Sequence, residues 1–181
     1  MFRSIASRSL THCALLFAVW FAATSANALD GTCQQVFDAM SKMVTMPTHV
    51  YTTEASAFRA GGKPTTNETI YAGGAIYTNV NGQWIRSTIT PQEMLQQEQE
   101  NRKQNKATCR YLREESMNGE GAAVYSTHSE TQDAKSDAQL WISKSKGLPL
   151  REELDIDVGG KLGKSHHSIR YEYRNVQPPR L

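Results

Sequence analysis

The sequence predicts a mainly β domain with two helices. It would be a curved antiparallel sheet, an incomplete β-barrel, with an N-terminal helix and a mid-chain helix on its concave side. Three observations predict it. About nine short strand-like segments are separated mostly by turns bearing Gly, Asn or Pro. One apolar stripe with three- and four-residue spacing precedes them. One capping-box sequence interrupts them. Strands joined by tight turns form a meander, and the two helices then lie on one of its faces.

The chain opens with a targeting pattern. Met1–Arg8 holds Arg3 and Arg8 and no acid, an apolar run follows from Cys13 to Ala23, and Ala26-Asn27-Ala28 supplies the small-x-small site of a signal peptidase. A membrane-spanning helix needs roughly 20 apolar residues, and this run is about half that. Cys13 opens the run and follows His12, which is not the arrangement of a lipid anchor. Cleavage is therefore expected after Ala28, leaving residues 29–181 as a single domain with no integral membrane segment. Cleavage also removes two of the 20 Lys and Arg and none of the 18 Asp and Glu, so the mature balance is 18 against 18. No basic stripe remains for nucleic acid or an anionic membrane.

The same cut removes Cys13 and leaves Cys33 and Cys109. Two cysteines in an exported chain read as one disulfide. A redox pair is the alternative, and the sequence has no C-x-x-C to favour it.

Asp30 reads as the N-cap of the first helix. Cys33, Val36, Phe37, Met40, Met43 and Val44 form its apolar stripe, which ends near Pro47. The stripe is ordinary core packing or, for Phe37 and Met40, part of a cavity wall. Strands follow at His49–Arg59, Asn67–Tyr71, Ala75–Val80 and Gln83–Ile89, with breaks at Gly61-Gly62-Lys63-Pro64 and Gly73-Gly74 and a hairpin turn at Asn81-Gly82. Thr90-Pro91-Gln92-Glu93 then begins a helix running to about Lys106. Its apolar residues are Met94 and Leu95, so it is either a rim element over a mouth or a solvated connector. The remaining strands are Ala107–Glu115, Ala122–Thr131, Ala138–Ser143, Leu150–Ile156 and Ser165–Arg174, with Gln132–Asp137 as a loop. Cys109 and Tyr111 share a strand face, so a bond to Cys33 would dock the first helix on that face.

The last two strands alternate cleanly. Leu150, Glu152, Leu154 and Ile156 share one face, which makes Glu152 a lone polar residue on an apolar side. His167 sits between Ser165 and Ile169 in the next strand. A two-residue turn at Gly159-Gly160 would pair Val158 with Lys161, Leu154 with Ser165 and Glu152 with His167. Such a pair could be a structural contact, a polar anchor for a ligand head group, or an acid–base site. Tyr51, Tyr71, Tyr77, Tyr111, Tyr125 and Tyr171 all fall in strands, where ordinary sheet propensity places tyrosines. They could equally line a cavity, each offering an apolar face and a polar tip.

The sequence has no G-x-S-x-G, no H-E-x-x-H and no phosphate loop. His166-His167 are neighbours on a strand and point to opposite faces, so they do not share a metal. No metal and no cofactor is expected. Asn67-Glu68-Thr69 matches a glycosylation sequon and reads as chance, a bacterial source being expected for such a chain.

A cleavable leader, an N-terminal amphipathic helix, a run of antiparallel strands and an inserted helix come together with Leu140-Trp141-Ile142-Ser143, Gly147-Leu148-Pro149-Leu150-Arg151, Tyr171-Glu172-Tyr173 and Asn175-Val176. In this, the mature chain resembles the periplasmic outer-membrane lipoprotein carrier proteins and their relatives. The resemblance implies an unclosed barrel with helices on its concave face, located in the periplasm, that binds an apolar ligand without altering it. That ligand would be a lipid or lipidated protein, and an envelope protein is a possible partner. The ligand-binding candidates are Phe37, Met40, Tyr51, Tyr71, Tyr77, Tyr111, Tyr125, Glu152, His167 and Tyr171. This chain departs from the family in having fewer Leu, Ile and Phe among its concave-face candidates. Two other classes are a small cone-shaped enzyme using Glu152 and His167 in an apolar cavity, and a structural envelope protein with a filled interior.

Overall fold

A computed structural model describes residues 31–56, 64–104, 106–160 and 163–181. The signal-peptide segment, the Asp30 cap, Gly61-Gly62-Lys63 and Lys161-Leu162 lie outside the described residues. Helix α1 (Gly31–Thr45) buries Cys33, Val36, Ala39, Met43 and Val44, the stripe expected from its spacing. Thr48 closes its C-terminus, its hydroxyl lying 3.0 Å from the Met43 and Met46 carbonyls that it serves as donor.

Nine strands follow among the described residues: β1 (Thr48–Ser56), β2 (Thr65–Ala72), β3 (Ala75–Val80), β4 (Gln83–Arg86), β5 (Lys106–Met117), β6 (Glu120–Glu130), β7 (Lys135–Ser143), β8 (Pro149–Asp157) and β9 (Lys164–Glu172). They form one antiparallel sheet in the order β4-β3-β2-β1-β9-β8-β7-β6-β5. The sheet is two meanders joined by the pairing of β1 with β9, and β4 and β5 are its edges. Helix α2 (Pro91–Gln104) is the connection between those two edges.

Local chemistry explains the turns. Asn81 and Gly82 take φ of 52° and 86°, the left-handed pair that a two-residue hairpin requires. At α2 the Glu93 amide donates to the Thr90 hydroxyl at 3.2 Å and the Thr90 amide donates to the Glu93 carboxylate at 2.7 Å, a complete capping box. The turn after β6 is tighter than the polar run Gln132–Asp137 suggests. Thr131 accepts from Ala134 through its hydroxyl, Lys135 pairs with Glu130, and β7 begins at Lys135. Polarity there marks a wet strand face instead of a loop. Strand β4 ends at Arg86, three residues short of the expected end, because Ser87–Ile89 turn toward α2.

The expected register between the last two strands is corrected. Asp157 pairs with Lys164, Ile156 with Ser165, Leu154 with His167, and Glu152 with Ile169. The turn is wider than Gly159-Gly160 alone: the Val158 amide donates to the Gly163 carbonyl at 3.2 Å, and Gly159, Gly160 and Gly163 all take positive φ. A shift of two residues leaves every side chain on its original face but removes the direct Glu152–His167 pairing.

Both sheet faces carry apolar clusters. On the helix-covered face, Val36 and Ala39 of α1 pack on Tyr125, Leu140 and Ile142, while Met43 and Val44 pack on Val50 and Tyr171. On the outer face, Ile70 and Tyr77 pack with Trp84 and Val176, and Val124 packs with Trp141. Leu150 joins the outer cluster because the β7–β8 ladder is irregular beside it, which breaks the alternation expected for β8.

Candidate functional site

Three anchors hold α1 over the sheet. At its N-terminal end Cys33 is bonded to Cys109 of edge strand β5, with Cα atoms 5.0 Å apart. At mid-helix, Val36 and Ala39 rest on the Tyr125–Leu140 cluster. At its C-terminal end the Lys42 ammonium donates to the Lys146 carbonyl at 2.6 Å. That carbonyl belongs to the Gly147-Leu148-Pro149 turn, where Leu148 is buried and the Ser143 amide donates to its carbonyl at 2.8 Å. The Tyr173 hydroxyl donates to the Pro149 carbonyl. The turn that carries the family resemblance thus fixes the far end of the helix.

Helix α2 lies beside α1 with fewer attachments. Met94 and Leu95 meet the α1 cluster, the Arg102 guanidinium stands 3.9 Å over the Phe37 ring, and the Tyr71 hydroxyl approaches the Met94 sulfur at 4.0 Å. Between α1, α2 and the sheet is a cavity of about 510 Å³. Its apolar walls are Val36, Phe37, Met40, Met43, Val44, Met94 and Leu95. Polar groups enter from α2 (Glu98, Asn101, Arg102), from the strands (Thr127, Ser129) and from the β8 side chain of Glu152. The volume falls within the roughly 300–1,000 Å³ of small-molecule sites.

Glu152 accepts a hydrogen bond from the Tyr171 hydroxyl at 2.7 Å. Tyr171 is 6 % exposed, beneath Met43 and Val44. Burial raises the Glu152 pKa and the Tyr171 bond partly offsets it; burial, then the Glu152 charge, pushes the Tyr171 phenol well above its usual range. Burial also raises Tyr71 and Tyr173.

The structure brings Phe37, Met40, Tyr71 and Glu152 to this cavity, with the Cys109 end of the disulfide. Tyr171 is the second layer beneath it. Tyr125 is packed under α1 with its hydroxyl donating to Gln35 at 2.7 Å, and Tyr111, 47 % exposed, meets the Tyr125 ring edge-on. His167 shares the Glu152 face but bonds Ser165 at 3.0 Å, and among the described residues no hydrogen bond or ion pair joins it to Glu152. Tyr51 and Tyr77 lie on the outer face. Tyr51 stacks on His49 beneath Arg170, and Tyr77 opposes Ile70. Arg102, Thr127 and Ser129 join the lining without a signal in the sequence, because their convergence depends on where α2 lands.

A second hollow, about 620 Å³, is lined by Lys135, Asp137, Asp155, Asp157, Lys164 and His166. Its charges are largely paired with one another, Asp155 with His166 at 2.8 Å and Asp157 with Lys164 at 3.6 Å. Among the described residues no three His, Cys, Asp or Glu side chains are grouped to hold a metal ion, and no helix is long and apolar enough to cross a membrane.

No protein-family model and no curated protein matches the sequence. Among solved structures, the chain is similar to LprF from Mycobacterium bovis, at 12 % identity over 84 % of this chain and 96 % of that one, with a TM-score of 0.42. It is similar to MucB, solved in complex with MucA(peri), at 12 % identity over 82 % of this chain and 57 % of that one, with a TM-score of 0.44. It is also similar to the LolA superfamily protein NE2245 from Nitrosomonas europaea, at 10 % identity over 83 % of this chain and 94 % of that one, with a TM-score of 0.30. These are distant likenesses of outline that carry no residue correspondence.

Proposed function

We propose that this chain is an exported, non-catalytic binding or carrier protein, working in the periplasm after cleavage behind Ala28. Its ligand is apolar or amphipathic, a lipid or the acyl part of a lipidated protein, held between α1, α2 and the sheet. The observation that carries this reading is the apolar-walled cavity of about 510 Å³. A filled structural core would have no such space. Methionines at three wall positions, Met40, Met43 and Met94, suit a ligand whose shape varies, since the unbranched thioether repacks readily. Phe37, Met40, Tyr71 and Glu152 are the residues proposed to touch it.

The test is displacement of an uncharged fluorescent apolar probe by unlabelled lipid, together with native mass spectrometry of protein taken from the periplasm. Saturable binding and a co-purifying lipid support the reading. Met40→Trp, which adds an indole to the cavity wall, is expected to abolish probe binding while the thermal unfolding transition persists. Probe binding that survives this substitution unchanged, or no binding by the native chain, refutes the reading.

A further inference from the structure

The cavity contains an acid whose counter-charge is missing. Arg102, at its α2 wall, is paired with Glu98 through Nε and Oε1 at 3.2 Å. His128 shares the outer strand face of Val124 and pairs there with Asp137 at 2.8 Å. Glu152 meets no Lys, Arg or His nitrogen at ion-pair distance among the described residues; its partner is the Tyr171 phenol. The other hydroxyls nearby are directed elsewhere, Tyr71 to the Met94 sulfur and Tyr173 to the Pro149 carbonyl. A carboxylate held under apolar helices is costly unless a cation or several donors meet it. Here one donor holds Oε2 in place, and the group lines the cavity. A carboxylate has capacity for several further hydrogen bonds.

Resting on the cavity as the ligand site, we propose that the ligand is an amphiphile bearing a protonated amine, whose ammonium docks on the Glu152 carboxylate while its chain lies against Met40, Met43, Met94 and Leu95. An ammonium supplies both the missing charge and donors for the free acceptor sites, and the attraction is strong where water is excluded. A fatty carboxylate or a phosphate would meet Glu152 with like charge, and Arg102, the cation of the α2 wall, already has an acidic partner. A fatty alcohol brings a donor without charge. The raised pKa of Glu152 agrees with a group held in readiness for a cation, since burial and no neighbouring acid is its cause. An amino-lipid head group and the free α-amine of a lipidated chain share this chemistry.

The experiment is displacement of N-phenyl-1-naphthylamine, an uncharged apolar probe, from the full mature chain by dodecylamine, dodecanol and laurate, below their micelle concentrations and near neutral pH. Dodecylamine is expected to displace the probe at a concentration about ten- to a hundredfold lower than dodecanol, the range of a hydrogen bond to a charged group, with laurate weaker than both. Glu152→Gln is expected to bring the amine-to-alcohol ratio near one, with thermal unfolding reporting that the variant is folded. If that variant does not fold, the native chain still decides: dodecylamine must displace the probe at a lower concentration than dodecanol. Glu98 and Arg102 of α2, His167 of β9, and Tyr71, Tyr171 and Tyr173 are the other titratable groups facing the site. Lysophosphatidylethanolamine and an S-hexadecylcysteine peptide, each beside its N-acetylated form, distinguish the two sources, and acetylation is expected to weaken whichever binds. Equal displacement by amine and alcohol overturns the amine inference while leaving the cavity a lipid site. No displacement by any of the three overturns both.

Discussion

Replacing both cysteines, Cys33→Ala with Cys109→Ala, tests how far the fold depends on its covalent tie. The bond joins residues 76 apart, closing a loop of about 77 residues. In the chain-entropy account, opening that loop frees about 15 cal/mol/K in the unfolded chain, or roughly 4.5 kcal/mol at 25 °C. Cys33 is 1 % exposed, so its loss also removes a packed sulfur. Strain or residual structure in the unfolded chain would lower the figure, and 3–5 kcal/mol is the working range. A domain of this size then loses roughly 10–15 °C in Tm. Urea denaturation followed by tryptophan fluorescence measures the loss, and the slope m is expected to rise because the untied chain unfolds to a more open ensemble. A loss below about 1 kcal/mol with m unchanged would refute the entropic reasoning. Two reactive thiols in the native chain, under denaturing and non-reducing conditions, would refute the bond itself.

Leu140 is 2 % exposed beneath Val36 and Ala39, so Leu140→Ala is expected to cost about 2–5 kcal/mol in urea denaturation. Thr90→Ala removes half of the α2 capping box and is expected to cost that helix about 1 kcal/mol, read as faster hydrogen exchange of α2 amides with the sheet unaffected. Glu152 binds its proton more tightly folded than unfolded, so ionising it opposes folding. That penalty is absent below the ordinary Glu value of 4.5 and grows as pH rises through the folded value. Glu152→Gln, which still accepts from Tyr171, is expected to stabilise the ligand-free chain at neutral pH and to change little near pH 4; equal effects at both would contradict it.

Features set by neighbouring residues were legible before any coordinates. The Asn81-Gly82 hairpin, the Thr90–Glu93 box and the α1 stripe each depend on a few adjacent side chains, and two cysteines left only one pairing to draw. The β8–β9 register was not legible, because Gly159, Gly160 and Gly163 each accept positive φ and offer more than one turn. Glu152 was found because face parity survives a two-residue shift. The sequence also separates Tyr77 from Tyr71. Gly73-Gly74 makes a two-residue turn that pairs Tyr71 with Ile76, which puts Tyr71 and Tyr77 on opposite faces, so at most one of them could reach a cavity. Which face received the helices depended on the pairing of β1 with β9, strands more than a hundred residues apart, and no local pattern encodes that pairing.

The two helices over the cavity are attached unequally, and the sequence explains why. Helix α1 has five buried side chains, a disulfide to β5 and a lysine bond to the Gly147-Leu148-Pro149 turn. Helix α2 contributes Met94 and Leu95 to the core and otherwise presents Gln, Glu, Asn, Arg and Lys, with Arg102 over Phe37 as its further tie. The free energy of opening a segment rises with the apolar surface it buries, so α2 opens more readily than α1. The cavity walls therefore divide into a fixed side, which carries Phe37, Met40 and Met43, and a yielding side, which carries Met94 and Leu95. A ligand entering past α2 has to break the Arg102–Phe37 contact and separate Met94 from Tyr71. Weakening the α2 cap at Thr90 should then speed exchange of a bound chain more than it changes equilibrium affinity, whereas cutting the disulfide loosens the fixed wall and should lower the affinity itself.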